Sequence, residues 1–132
     1  MKRQITPELA MEFEDVGEGA PLILLHGFPL SLQMWRTQAD DLKEKCRVIT
    51  PKLRGFGGTS GFAGTPSVQQ MAEDVKSLLE ALRIHEPVVL GGLSMGGYVA
   101  LAFARSHVAR LRGLILADTR AEADTAEGKA NL

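Results

Sequence analysis

One pentapeptide in the sequence has residue types and spacing suited to covalent chemistry, Gly92-Leu93-Ser94-Met95-Gly96. It follows a short apolar run at 87–90 and precedes a stretch with a helical pattern at 95–106. A serine between a strand and a helix in this arrangement is typical of a nucleophile on a tight turn. Such a turn strains the serine backbone, and side chains in place of the flanking glycines would collide with the neighbouring strand and helix. The pattern therefore predicts that Ser94 lies at the tip of the turn, within reach of a substrate.

Apolar runs and helical periods alternate along the rest of the chain. Fully apolar strands that alternate with helices predict an α/β fold with a mostly parallel sheet and helices on both faces. A break at residues 17–19 predicts a hairpin that leads into a buried strand, and Ser67 is a suitable N-cap for the second helix. The predicted strands are 9–14, 21–25, 46–50, 87–90 and 111–117, and the predicted helices are 32–45, 67–82 and 95–106.

Composition limits the classes of function. The chain has 132 residues, and its 15 Lys and Arg nearly balance its 16 Asp and Glu. This size predicts a single domain over residues 1–132, and the lack of a basic cluster argues against binding to nucleic acid or an anionic membrane. No apolar run approaches the roughly 18 residues of a membrane span, and the single Cys46 fits a reducing compartment. We therefore expect a cytoplasmic protein.

Cofactor and metal motifs are missing from the sequence. The glycines around Gly91 and Gly92 do not have G-x-G-x-x-G spacing, and the loop from Gly55 to Gly64 lacks the G-K-[ST] ending of a phosphate-binding loop. The histidines are scattered, without the spacing of metal ligands. We therefore expect neither a cofactor nor a metal.

Three motifs follow one another along the chain. They are His26-Gly27-Phe28-Pro29 directly after an apolar strand, Arg54-Gly55-Phe56-Gly57, and the turn from Gly92 to Gly97. In this order they resemble the α/β-hydrolase family, over nearly the whole chain. The resemblance matches only the amino-terminal half of a typical member, so it implies a truncated α/β-hydrolase fold. Bacterial carboxylesterases, enol-lactonases and cofactor-free haloperoxidases share this pattern, which does not separate ester from lactone or peroxide chemistry.

The resemblance implies roles for four residues. Ser94 Oγ would attack an acyl carbonyl of a small-molecule ester, and the backbone N–H groups of Met95 and Phe28 would hold the resulting oxyanion. Met95 stands at a helix N-terminus, where the helix dipole favours negative charge. Asp118 ends the strand that follows the turn helix, where some members place the acid of the triad. Other members place this acid one strand later, beyond the end of this sequence.

The general base is not identified by the motifs. Only His26, His85 and His107 are available, and none occupies the family's catalytic position. We interpret His26 as a ring that hydrogen-bonds nearby backbone and shapes the oxyanion loop. His85 and His107 precede strands, so we expect solvated side chains on the far side of the sheet. Lys52 also departs from the family, because members often carry Asp in this segment.

The last predicted strand forms an apolar edge in a chain of this length, and such an edge invites pairing. We expect a homodimer in which this strand, near Leu114, pairs antiparallel with its copy about a two-fold axis. A base in trans, His107 or His85 of the partner subunit, would then lie at the correct end of the sheet. Two function classes remain. The first is an esterase-like serine hydrolase, with a triad that is either completed by a second chain or partial, and the second is a catalytically inactive half-domain that acts as an assembly or binding module.

Overall fold

The computed structural model describes residues 2–26, 35–54 and 67–117, which form one sheet and the helices that cover it. A 3₁₀ turn, Val108–Arg110, joins the last helix to the last strand. The strands are β1 (Lys2–Thr6), β2 (Leu9–Val16), β3 (Pro21–Leu25), β4 (Arg47–Pro51), β5 (Val88–Leu93) and β6 (Leu111–Ala117), and the helices are α1 (Arg36–Leu42), α2 (Val68–Ala81) and α3 (Met95–His107).

The sheet has the strand order β1-β2-β4-β3-β5-β6. Strand β3 pairs in parallel with β4 and β5, and β5 pairs in parallel with β6, whereas β1 with β2 and β2 with β4 are antiparallel. The predicted α/β fold with a mostly parallel sheet is therefore confirmed. The carboxyl ends of the four parallel strands lie along one edge, which is where ligands bind in open α/β sheets. The first residue beyond β5 at this edge is Ser94.

The hairpin predicted around residues 17–19 is wrong. Strands β2 and β3 do not pair, because β4 lies between them. Gly17 and Gly19 have φ angles of 87° and 117°, which glycine adopts without strain. A side chain at Gly17 would overlap the carbonyl oxygen of Cys46, so the turn packs directly on the segment before β4. The hairpin forms instead between β2 and β1, a strand whose mostly polar residues gave no apolar signal.

Helices lie on both faces of the sheet. Helices α2 and α3 pack together on one face, and α1 packs on β4 on the other. Successive residues of β3 alternate between the faces, as a strand requires. Ile23 and Leu25 belong to the large core under α2 and α3, and Leu24 belongs to the smaller cluster that also contains Ala39 of α1.

The observed ends of α2 and α1 can be compared with the predicted helix boundaries. Ser67 caps α2 as predicted, since its Oγ accepts a hydrogen bond from the Gln70 N–H at 3.0 Å. Helix α1 is shorter than the predicted 32–45: it ends at Leu42, and residues 32–34 lie outside the described ranges. In the part of the chain that the structure describes, no helix has the length and apolar character needed to cross a membrane.

Candidate active site

Ser94 occupies a sharp turn between β5 and α3. Its φ of 53° and ψ of −114° lie in a region that residues other than glycine rarely adopt. The side chain is partly exposed. The predicted tight turn with a strained serine is confirmed in its geometry.

The two flanking glycines explain how the turn is held. A Cβ at Gly92 would overlap the backbone of Gly96, and a Cβ at Gly96 would overlap the carbonyl oxygens of Leu25 and His26. The start of α3 therefore packs backbone to backbone on the end of β3. Because backbone atoms cannot swing away as a flexible side chain can, glycine is required at both positions.

Backbone hydrogen bonds fix the serine between β6 and α3. The Ser94 N–H donates to the carbonyl of Ala117, the last residue of β6, at 3.0 Å. The Ser94 carbonyl accepts from Gly97 N–H at 2.9 Å and Tyr98 N–H at 3.3 Å, which begins the helical ladder. Met95 is the first residue of α3, so its N–H has no acceptor within the helix and lies at the positive end of the helix dipole. This arrangement can stabilise negative charge beside Ser94.

Two predicted site residues lie outside the described ranges. Phe28 belongs to residues 27–34, and Asp118 begins the range 118–132. The residue before Asp118 is described: Ala117 ends β6, and its carbonyl accepts the hydrogen bond from the Ser94 N–H. The oxyanion role of Phe28 and the triad role of Asp118 stay predictions.

His26 is a structural histidine, as interpreted from the sequence. The ring is fully buried, and its Nε2 accepts a hydrogen bond from the Leu53 N–H at 2.9 Å. An imidazole whose Nε2 accepts in this way is neutral and carries its proton on Nδ1. Since this lone pair is already used, the Nε2 of His26 is not available to take a proton from Ser94. The ring instead joins the end of β3 to the segment that follows β4.

A buried ion pair at this end of the sheet was missed in the sequence. Arg54, three residues beyond the end of β4, donates from Nε and Nη2 to the two carboxylate oxygens of Asp74 in α2, both at 2.7 Å. Both side chains are buried, and the hydrogen bond to Asp74 raises the pKa of Arg54 above its ordinary value. The pair ties the start of the glycine-rich segment to α2. No local signal reveals it, because the partners are 20 residues apart in the sequence.

The remaining departure from the family pattern, Lys52, also has a partner. Its Nζ lies 3.5 Å from Glu12 Oε1 on the neighbouring strand β2, and its N–H donates to the Glu12 carbonyl. The positive charge is therefore compensated beside β2.

The other two histidines lie far from Ser94 within one chain. His107 ends α3, and 13 residues at about 1.5 Å each separate the helix ends by about 20 Å. His85 precedes β5, whose six residues at about 3.3 Å each give a similar separation. His85 is exposed as expected, but His107 is not a freely solvated side chain. Its Nε2 contacts both carboxylate oxygens of Glu73, at 3.0 and 3.1 Å.

The strand order, the strained serine and the glycines around it together define a class of protein. This chain belongs to the α/β hydrolase fold family, whose model matches residues 20–131. The resemblance inferred from the motifs is therefore confirmed.

Individual relatives include hydrolases of several kinds. A solved thermophilic esterase from Thermogutta terrifontis is 50% identical, with a TM-score of 0.89, over 93% of this chain and 45% of that protein. The AB hydrolase superfamily protein YisY of Bacillus subtilis is 39% identical over 114 residues, 85% of this chain and 42% of YisY. A soluble epoxide hydrolase from Corynebacterium sp. is 35% identical over 108 residues, 82% of this chain and 37% of that protein. The chain spans less than half the length of these relatives.

Proposed function

We propose that this chain carries the nucleophile of a carboxylic ester hydrolase, with Ser94 as the attacking residue. The observation that carries the proposal is the backbone of Ser94, held at positive φ by close-packed backbone on both sides. Strain of this kind persists only where the surroundings enforce it, and it clusters at functional sites. The relative that is 50% identical is an esterase, which supports ester cleavage over other hydrolytic chemistry.

The proposed reaction passes through an acyl-enzyme. Ser94 Oγ bonds to the ester carbonyl carbon and gives its proton to a base, while the carbonyl electrons move onto oxygen. The oxyanion accepts hydrogen bonds from the N–H groups of Met95 and Phe28, each worth about 2.7 to 4 kcal/mol in the transition state. The C–O bond to the alcohol then breaks, the alcohol takes the proton, and water releases the acid from Ser94. Asp118 would orient the base.

Among the described residues, His85 and His107 lie too far from Ser94 to serve as its base. We propose that a second copy of this chain supplies the base. Of the two histidines, His107 has the better support. Its Nε2 contacts the Glu73 carboxylate, and a carboxylate that orients an imidazole is the arrangement that a serine hydrolase uses for its base. With His107 as the base, Nδ1 would take the proton from Ser94, and Glu73 would take the orienting role in place of Asp118.

Turnover of p-nitrophenyl acetate tests the nucleophile. We expect Ser94→Ala to lower kcat/KM by about a hundredfold or more, because the acyl-enzyme cannot form. Ser77→Ala is the matched control, because it removes the same atom in the middle of α2. Its activity should equal that of the wild type.

The second candidate function is a non-catalytic assembly or binding module. It is favoured by the placement of the histidines among the described residues. Neither His85 nor His107 approaches Ser94, and the Nε2 of His26 already accepts a hydrogen bond from Leu53. Equal hydrolysis by the wild type and Ser94→Ala would select this module and reject the esterase.

A mixing experiment tests the base in trans. Ser94→Ala and His107→Gln are each expected to be inactive alone. Random pairing of equal amounts makes half of the dimers mixed, each with one complete site, so about one quarter of wild-type activity should return. A mixture as inactive as its components would reject His107, and the same design with His85→Gln tests the alternative.

A further inference from the structure

Buried polar side chains are concentrated near the candidate active site. In the described ranges four polar residues are buried, and three of them, His26, Arg54 and Asp74, lie at the end of the sheet that carries Ser94. The proposed reaction uses none of these three side chains. Burying a polar group costs free energy unless it is bonded, so the partners of these side chains indicate what they hold in place.

The first link is the ion pair of Asp74 with Arg54. The two side chains are only 6% and 9% exposed, and both carboxylate oxygens accept a hydrogen bond from the guanidinium at 2.7 Å. The desolvation cost of a buried ion pair offsets much of its attraction, so such a pair is weak evidence for stability. Two parallel hydrogen bonds do, however, fix the plane and the direction of the guanidinium. The pair therefore holds the chain at Arg54 in one orientation against α2.

The second link runs from Arg54 to the end of β3. Arg54 follows the fully buried Leu53, and the Leu53 N–H donates to Nε2 of His26 at 2.9 Å. The direction of this N–H is set by the chain on both sides of Leu53. On one side the Lys52 N–H donates to the Glu12 carbonyl of β2, and on the other side the chain is held by the ion pair of Arg54. The ion pair therefore helps to fix the hydrogen bond to His26.

The third link runs from β3 to the turn that carries Ser94. His26 directly follows β3, and its carbonyl is one of the two that a Cβ at Gly96 would overlap. Gly96 stands between Met95, whose N–H is the proposed oxyanion donor, and Gly97, whose N–H donates to the Ser94 carbonyl. Because these backbone atoms are in direct contact, a shift of His26 moves the first turn of α3.

We propose that Asp74 is a positioning residue for the reaction of Ser94. It acts through a buried polar path, which consists of Asp74, Arg54, the Leu53 N–H and His26, and which ends on the first turn of α3. This role rests on the proposed function, because it adds a residue that the ester hydrolysis requires. Both carboxylate oxygens of Asp74 are bonded to Arg54, so we assign Asp74 no direct contact with the substrate.

The buried polar path should affect the rate of the reaction rather than substrate binding. The N–H of Met95 stabilises a negative charge that develops only in the transition state. If this donor is displaced, kcat and kcat/KM fall together and KM changes little. A displacement of about 1 Å can cost up to about a hundredfold in rate. We expect about a tenth of that loss, because α2 still packs on α3 when the path is broken.

Asp74→Asn tests the start of the path, with p-nitrophenyl acetate as the substrate. An amide keeps the shape of the carboxylate but cannot accept both hydrogen bonds of the guanidinium. We expect kcat to fall about tenfold and KM to stay within about twofold. Glu80→Gln makes the same change in α2 at a half-exposed carboxylate that pairs with Arg110, and its kcat should equal that of the wild type. An unchanged kcat in Asp74→Asn, an equal fall in Glu80→Gln or a change confined to KM would overturn the proposal.

Arg54→Lys separates the direction of the ion pair from its charge. An ammonium keeps the attraction to Asp74 but lacks the planar fork of the guanidinium. If the fork positions the chain, kcat should again fall about tenfold, in a protein that keeps a buried ion pair. A wild-type kcat in Arg54→Lys would contradict the positioning role, whether or not Asp74→Asn folds.

Amide hydrogen exchange follows the path without a substrate. Asp74→Asn should raise the exchange rates of the Leu53 and Gly97 amides about tenfold, because their hydrogen bonds lie on the path or at its end. The Arg47 amide, which donates to the Ala20 carbonyl at the opposite end of β4, is the internal reference and should be unchanged. Equal acceleration at all three amides would mean a general loss of stability, and no acceleration at Leu53 and Gly97 would mean no coupling. Either result would overturn the proposal.

The kinetic and exchange measurements can fail separately. A wild type whose hydrolysis does not depend on Ser94 would reject the proposed function, and hydrogen exchange would then decide alone whether Asp74 holds the turn. Hydrolysis that depends on Ser94, together with an unchanged kcat in Asp74→Asn, would reject the positioning role and leave Ser94 as the nucleophile.

Discussion

Two residues other than glycine have a positive φ in the described part of the chain, and they stand at opposite ends of the sheet. Ser94 has a φ of 53° and Arg83 a φ of 58°. Arg83 ends α2: its N–H donates to the Glu80 carbonyl, and the next N–H, of the buried Ile84, donates to Leu79. This is a Schellman motif, in which a left-handed residue completes the carbonyl bonds of a helix end.

The surroundings of the two residues differ. The side chain of Arg83 is exposed, and its conformation follows from ending a helix. Ser94 has a ψ of −114°, which the end of a helix does not require. A Cβ on either flanking glycine, Gly92 or Gly96, would overlap backbone atoms. The positive φ of Arg83 therefore follows from the local geometry of a helix end, whereas the positive φ of Ser94 is imposed by packed backbone. Only the second kind indicates a functional site.

The largest expected difference between the two ends concerns their ion pairs. Asp74→Ala leaves the buried guanidinium of Arg54 without its carboxylate, which should lower the free energy of unfolding by about 3 to 5 kcal/mol. Glu80→Ala is the matched change in the same helix, because Glu80 pairs with Arg110 but is half exposed. Its cost should stay below about 1 kcal/mol. Urea denaturation measures the free energy of unfolding of both variants. An equal loss in the two would show that the end of the sheet near Ser94 is held no more rigidly than the opposite end.

The next test concerns the glycine that packs on β3. In most helices Gly→Ala is stabilising, but at Gly96 the added Cβ meets the carbonyls of Leu25 and His26. We expect Gly96→Ala to cost about 3 kcal/mol, because overpacking against backbone forces the start of α3 away from the sheet. Gly113→Ala adds the same atom where it meets Val89 at 3.5 Å, and its effect should stay within about 1 kcal/mol. If both variants unfold at the same urea concentration, the backbone contact at Gly96 is not rigid.

The backbone strain at Ser94 should be measurable as a difference in stability between two variants that both lack the hydroxyl. Glycine adopts its φ and ψ without strain, so Ser94→Gly should be more stable than Ser94→Ala by about 1 to 2 kcal/mol. Both variants should lack ester hydrolysis, because both lack the hydroxyl. Thermal or urea unfolding compares the two directly. An alanine variant as stable as the glycine variant would mean that the positive φ is not enforced.

The sequence predicts what depends on local pattern. The apolar runs that became β3 and β6 have the predicted limits, and Ser67 caps α2 because an N-cap acts within one helical turn. The tight turn at Ser94 was predicted because its glycines lie within one pentapeptide, although Leu25, His26 and Ala117, which hold it, lie elsewhere in the chain.

Long-range contacts could not be predicted in the same way. The antiparallel pairing of β2 with β4 brings together residues that are separated in the sequence by β3 and α1. The polar strand β1 is specified by its neighbour rather than by its own residues. The pair of His107 with Glu73 joins two helices across 34 residues. Such contacts depend on how elements pack, which no period in the sequence encodes.

The smallest expected effect belongs to Arg83, and it completes the comparison. Glycine at this position adopts positive φ without a Cβ, so Arg83→Gly should raise the free energy of unfolding by about 0.5 to 1 kcal/mol. Arg83→Ala keeps the Cβ and should give no gain. Neither variant should change ester hydrolysis, because Arg83 lies at the opposite end of the sheet from Ser94. Urea unfolding with parallel p-nitrophenyl acetate assays measures both quantities. A loss of activity in Arg83→Gly would show that the two left-handed residues are coupled through β5, and that the helix end also shapes the site.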